Sequence, residues 1–164
     1  MTKNKETIFS QDLANNKLRV VREFDAPIDQ VWKAWTDSNL LDKWWAPKPW
    51  KAVTQKMDFR EGGSWLYYMQ GPDGTQSYCR ADFKKIVSNK SYVEDDAFCD
   101  ENGNINNNFP VMHWKIEFSK TSTGTKVEVE ITYDSPADME KILELGFKEG
   151  FSSAHTNLDE LLAK

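Results

Sequence analysis

The chain has 164 residues, with 21 Lys and Arg against 26 Asp and Glu and a formal charge of -5. That length suits one domain and can bury a sizeable core, while the mild acidity argues against DNA or RNA as the main partner, because phosphate binding needs a concentrated basic surface. No run of about 18 apolar residues is present to span a bilayer, and the opening MTKNKETIFSQDLANNK lacks the apolar stretch of a secretory signal, so a cytoplasmic protein with no membrane partner is expected.

Residues 1–16 read as a polar lead-in, with any order confined to the neighbourhood of Ile8 and Phe9, and 17–164 as one domain. Leu18–Phe24 is β-branched and reads as a strand. Pro27 suits the first turn of a helix, and Ile28, Val31, Trp32 and Trp35 follow at helical spacing. SNLLDKWW is a second short helix, capped by Asp37 or Ser38 and stopped by Pro47. From Trp50 the period becomes two. Lys51–Phe59, then SWLYYMQ with Trp65, Tyr67 and Met69 on one face, then Ser77–Val87 and Ser91–Phe98, then Val111–Phe118 and Thr125–Tyr133 read as consecutive antiparallel strands. GPDG at Gly71–Gly74 and Ser88-Asn89-Lys90 are turns, and Asp100–Phe109 is an Asn-rich loop expected to gate a pocket mouth. From Ala137 on, Met139, Leu143, Phe147, Phe151, Leu158 and Leu162 recur at four-residue steps, with Ala154 and His155 in the gap. This predicts one amphipathic helix of about seven turns, roughly 40 Å long. The fold class is α+β: about seven strands, two short helices after the first, and a long C-terminal helix that buries its apolar stripe on one face of the sheet.

AP at Ala26-Pro27 followed by VWKAWTDSNLLDKWWAP, then DFREGGSW, then GPDG, then EGFSSAHTNLDELL resembles the activator-of-heat-shock-protein-90-ATPase homologue family, within the START and birch-pollen-allergen (SRPBCC) superfamily of helix-grip folds. The resemblance runs from about Leu18 to Leu162. Ala46 replaces a frequent Gly before the Pro, and Phe151 a frequent Trp after Gly150. The resemblance implies a sheet wrapped round the C-terminal helix, with ligand carriers, cyclases and chaperone activators all hosted on that frame. Chaperone activators of this type carry a further N-terminal domain, and the residues before Leu18 are expected to be too few to supply it.

The chain has seven Trp, nine Phe and five Tyr. Such rings either plug a core or line a pocket; as a set they favour a pocket, because one helix fills a concave sheet poorly. Gly146 and Gly150, inside the expected helix, either leave cavity volume or let backbone approach closely, since Gly in a helix otherwise costs about 1 kcal/mol. The expected ligand contacts are Trp32, Trp65, Tyr67, Met69, Trp114, Phe147, Gly150 and Phe151, with His155 as a polar anchor. The plainer reading of His155, a histidine satisfied by hydrogen bonding, is the favoured one, and His113 is expected on the exposed face. Asp58 and Arg60 are expected to form an ion pair that orders the Gly62-Gly63 turn. Either Glu94 or Asp82 could present a carboxyl inward, with a pKa raised by desolvation; the parity of the hairpin leaves the inward face open. Cys79 and Cys99 are symmetric about Asn89, so a cross-strand disulfide is conceivable, with reduced thiols the default.

No metal is expected, for lack of ligand spacing. DENGN at Asp100 has its Gly two positions early for a calcium loop, and Val111 stands at the bidentate position. No cofactor motif is present. Three functions remain: a non-catalytic binder of a small hydrophobic or aromatic molecule, a polyketide-cyclase-like enzyme using the same cavity, and a protein-interaction module that contacts a chaperone.

Overall fold

The computed structural model describes residues 5–163. β2 (Lys17–Phe24) buries Leu18, Val20, Arg22 and Phe24 on one face. Pro27 then ends the strand, and its carbonyl accepts the first free amides of α1 (Ile28–Thr36), from Gln30 at 3.1 Å and Val31 at 3.0 Å. Asp37 closes α1 and caps α2 (Ser38–Trp44) by accepting from the Asn39 amide at 2.9 Å. These two helices carry the chain across the sheet to its far edge. There β3 (Lys51–Met57) pairs with β4 (Ser64–Gln70), β5 (Gln76–Val87), β6 (Ser91–Phe98), β7 (Met112–Lys120) and β8 (Thr125–Tyr133) follow in turn, and β8 closes against β2. Every pairing is antiparallel. The alternating sets Met112, Trp114, Ile116, Phe118 and Val127, Val129, Ile131, Tyr133 are all buried, as their period of two requires.

Three features depart from the sequence expectation. Within the lead-in, Ile8–Asp12 forms an edge strand, β1, that pairs with β2 from Ile8 opposite Val21 to Asp12 opposite Lys17, so the sheet has eight strands and not seven. An edge strand with little to bury need not carry alternating hydrophobicity, and IFSQD does not. Residues 1–4 of the lead-in lie outside the described residues.

The expected single C-terminal helix is two helices. Ser135 caps α3 (Pro136–Glu144), accepting from the Asp138 amide at 3.1 Å. Gly146, at φ +90, breaks the run, and α4 (Phe147–Leu162) begins after it. Gly146 is therefore a left-handed junction and not a helix-interior residue. The apolar period continues through the break, which is why periodicity cannot see it.

Finally, Cys79 and Cys99 are free thiols, the expected default, but they do not lie opposite each other as the symmetry about Asn89 would place them. A bulge between Phe83 and Lys85 slips the β5–β6 register by one, so Cys79 opposes Phe98. A one-residue slip sends the two side chains to opposite faces.

His113 is half-exposed and clamped, with Nδ1 2.8 Å from Asp95 and Nε2 2.9 Å from Asp134. The Asp58–Arg60 pair forms as expected, at 2.9–3.0 Å. A Cβ on Gly63 would lie 2.1 Å from the Asp58 carbonyl, so the turn admits only glycine there.

The Gly146 conformation gives a direct expectation. Gly146→Ala places an L-residue in the left-handed region and should destabilise the protein by about 1–2 kcal/mol, seen as a lower melting temperature. An unchanged melting temperature would mean that the α3–α4 junction tolerates a different backbone path.

Candidate functional site

Between the sheet and the α3–α4 junction lies an apolar cavity of about 240 Å3. This falls just below the roughly 300–1,000 Å3 of drug-sized sites, so it suits a small molecule. Its floor comes from the inward residues of the central strands: Tyr67 and Met69 of β4, Ser77 and Cys79 of β5, Asp96 and Phe98 of β6, Met112 and Trp114 of β7. Ile142, Phe147, Gly150 and Phe151 form the helical roof, and Trp45 and Pro47, after α2, close one side. Leu145 and Gly146 also line it, and Leu145 is exposed, so the helix break forms part of the rim.

The walls are locked by ring contacts and hydrogen bonds. Trp114 meets Phe147 and Phe151 edge-on, with centroids 6.0 and 5.6 Å apart. Trp45 donates its indole N–H to the Tyr67 hydroxyl at 3.0 Å. Trp65 stacks on Tyr67 at 3.9 Å and donates to Thr54 Oγ1, which in turn donates to Asp42. Asn157 of α4 donates to the carbonyls of Trp44 and Ala46, fixing the segment that presents Trp45.

Of the residues expected to bind, Tyr67, Met69, Trp114, Phe147, Gly150 and Phe151 line this cavity. The other three lie elsewhere. Trp32 packs in a separate aromatic group with Phe59, Tyr92 and Phe118, under α1. Trp65 supports Tyr67 from behind. His155 sits behind Phe151, ring centroids 4.2 Å apart, among Phe24, Trp35 and Trp44. Its Nδ1 is hydrogen-bonded to Thr7 Oγ1 at 2.9 Å, while Nε2 is buried with no hydrogen-bond partner among the described residues. Burial first, and the nearby Arg22 charge second, hold its pKa down to about 3, so the ring is neutral at physiological pH. The Asp100–Phe109 loop contributes no residue to the cavity lining; it packs Phe109 on Phe98, the Gly103 carbonyl accepts from Arg80, and Lys141 donates to the Asn108 carbonyl.

The polar content of the cavity comes from residues the sequence left open or missed. The β5–β6 bulge turns Cys79, Ala81 and Phe83 inward, with Glu94 and Asp96 on the same side. Asp82 goes to the other face, where it pairs with Arg80. Asp96 lines the cavity; Glu94, two residues earlier on the same face, is only 4% exposed. Neither carboxyl forms an ion pair among the described residues. Desolvation, reinforced by neighbouring carboxylates, raises Asp96 well above the carboxylate range and lifts Glu94 to about 8. Burial pushes the Cys79 thiol up to about 12 and raises the Tyr67 phenol well above its usual value. Trp114, directly opposite Glu94 in β7, buries an indole N–H with no acceptor. Among the described residues, no group of three or more His, Cys, Asp and Glu side chains is placed to hold a metal ion. No described helix is long and apolar enough to cross a membrane.

An antiparallel sheet gripping C-terminal helices over an apolar hollow defines a helix-grip protein of the SRPBCC type. The chain belongs to the Activator of Hsp90 ATPase homolog 1-like protein family, whose model matches residues 25–163. It is similar to protein Ms6760 from Mycobacterium smegmatis, at 32% identity over 96% of each chain with a TM-score of 0.89. A solution structure from Arthrobacter aurescens is similar at 31% identity, covering 95% of this chain and 91% of that one, with a TM-score of 0.89. The AHSA1 protein from Silicibacter pomeroyi shares the fold, with a TM-score of 0.72 over 90% of this chain and 97% of that one at 19% identity. No curated protein matches the chain.

The buried Glu94 carboxyl fixes a pH signature. Glu94 binds its proton up to about pH 8 when folded, but only to about 4.5 when unfolded. Its contribution to stability is therefore fully present below about pH 4.5 and is lost as pH rises towards 8. Glu94→Gln should leave stability nearly unchanged at pH 4 and raise it by about 4 kcal/mol relative to the parent at pH 8, measured by chemical denaturation at both values. An equal effect at the two pH values would show that Glu94 is ionised in the folded protein.

Proposed function

We propose that this protein binds a small, mostly apolar molecule in the cavity between the sheet and the α3–α4 junction, without transforming it. The observation that carries the reading is the cavity of about 240 Å3 itself, walled by rings and aliphatic chains with few polar groups. Binding requires volume and one or two anchors, whereas acid–base catalysis requires two titratable groups poised near the working pH. The thiol and phenol in the cavity are held far above neutrality, and His155 is sequestered behind Phe151 with its titration far below it.

One observation favours a second reading. A carboxyl whose burial favours its protonated form, as at Asp96 beside Glu94, is a general acid in form. A cyclase-like reaction would use it, with a base supplied by the substrate or by water. The third role, contact with a chaperone, would be served by a contiguous exposed apolar patch. Among the described residues the large exposed apolar side chains are Ile8, Leu13, Val87, Ile105 and Leu145.

Gly150 provides the test. A Cβ there would meet Pro47 Cγ at 3.7 Å, ordinary contact, so a larger side chain is forced into the cavity mouth. Gly150→Leu also removes a helix-interior glycine, which favours α4 by up to about 1 kcal/mol, so the variant should fold. Calorimetric titration with naphthalenemethanol should show binding to the parent and at least about tenfold weaker binding to Gly150→Leu, a loss of about 1.4 kcal/mol. Equal affinity and stoichiometry in the two proteins would place the binding site elsewhere.

A further inference from the structure

The cavity has a sign. Among the described residues no Lys, Arg or His side chain lines it, and its one carboxyl, Asp96, forms no ion pair. β6 brings Glu94, β5 brings Cys79, and β4 brings Tyr67, whose hydroxyl already accepts from Trp45 and so keeps its remaining lone pair available. β7 contributes Met112, directly opposite Asp96, and α3 and α4 contribute only apolar residues. The nearest cation on these strands, Arg80, points to the other face and is tied up by Asp82 and the Gly103 carbonyl. Aromatic faces carry partial negative charge, and Trp45, Trp114, Phe147 and Phe151 present four rings around the same space. A carboxyl inside a ring-lined cavity is the arrangement that recognises an organic cation.

We propose that the cavity takes a small organic amine in its cationic form, the ammonium paired with Asp96 and the apolar body held among Trp45, Trp114, Phe147 and Phe151. This deepens the binding reading and rests on it. It also supplies a counter-charge to the inner face of β6, where Glu94 and Asp96 have no cationic partner among the described residues. Desolvation favours the protonated form of both carboxyls. When an ammonium arrives, the carboxylic O–H bond of Asp96 breaks, the proton leaves to solvent, and the carboxylate pairs with the ammonium. Binding therefore releases about one proton per ligand below the pH at which Asp96 ionises unaided.

The experiment compares two probes of matched shape, naphthylmethylammonium and naphthalenemethanol, by calorimetry of the full chain at neutral pH in two buffers of different ionisation enthalpy. The expected result is that the ammonium binds at least about tenfold tighter than the alcohol, with a buffer-dependent heat that reports proton release. Asp96→Asn should erase that preference, the ammonium then binding no tighter than the alcohol, with an unchanged melting profile showing that the variant is folded. If Asp96→Asn fails to fold, the parent's ammonium-to-alcohol ratio decides alone. Equal or tighter binding of the alcohol by the parent overturns the cation assignment and leaves the binding reading standing. Retained ammonium preference in Asp96→Asn overturns the role of Asp96. Failure of both probes to bind the parent overturns the binding reading and the cation assignment with it.

Discussion

The architecture depends on how α4 is tied down, most of its polar anchors lying toward its C-terminal end. Leu158 is fully buried, Asn157 donates to two carbonyls of the α2–β3 connection, Asp159 pairs with the buried Arg22 of β2, and His155 is bonded to Thr7. All of these contacts fall in the C-terminal half of the helix. Its N-terminal turns hold Phe147 and Gly150, both partly exposed, and start from a glycine in the left-handed region. A rod anchored mostly at one end over a sheet, and broken from its neighbour at the other, leaves a wedge of space at the less anchored end. The cavity occupies that wedge. Phe151 stands at the transition, touching Trp35 and His155 on the packed side and Trp114 and Phe147 on the hollow side.

The same geometry separates two populations of aromatic residues that composition alone cannot distinguish. Trp32, Trp35 and Trp44 close contacts with one another's neighbours at centroid distances of 4.9–6.1 Å and leave no space between them. Trp45 and Trp114 share the same edge-on and tilted contacts on one side and have nothing opposite them on the other. Trp44 and Trp45 are adjacent in the chain, so the helix end turns one into the core and the other to the cavity wall, as consecutive helical positions must.

Periodicity made the sheet face of β4, β7 and β8 and the stripe of α4 legible, and through them six of the cavity residues. It failed where one backbone angle or one extra residue changes the outcome. Gly146 divides a helix without disturbing its apolar repeat. The bulge between Phe83 and Lys85 reverses the parity of half a hairpin, and parity was the sole guide to whether Glu94 or Asp82 faces inward. Trp32 and Trp65 were misplaced for a different reason: both are inward and aromatic, but inwardness does not separate a ring that touches the hollow from one that supports its wall. Contacts between residues distant in sequence, such as Thr7 with His155 or Pro47 beside Gly150, leave no local trace at all.

A fold optimised only for stability would place an apolar residue at Asp96 and at Glu94, because an uncompensated buried carboxyl lowers stability at every pH where the unfolded chain ionises. The neighbouring outward carboxyls show what compensation looks like here: Asp82 is held by Arg80, and Asp95 by His113 and Lys84. Residues Asp82, Glu94, Asp95 and Asp96 thus sit within one hairpin under opposite regimes, paired on the outer face and unpaired on the inner. Folded proteins carry such locally unfavourable groups mainly where a site demands them. The missing partner for Asp96 can come only from the cavity side, since every element packed around it contributes rings, sulfur, hydroxyls or another acid. The unpaired carboxyl and the hollow thus meet at one place, an acid group set into a ring-lined space.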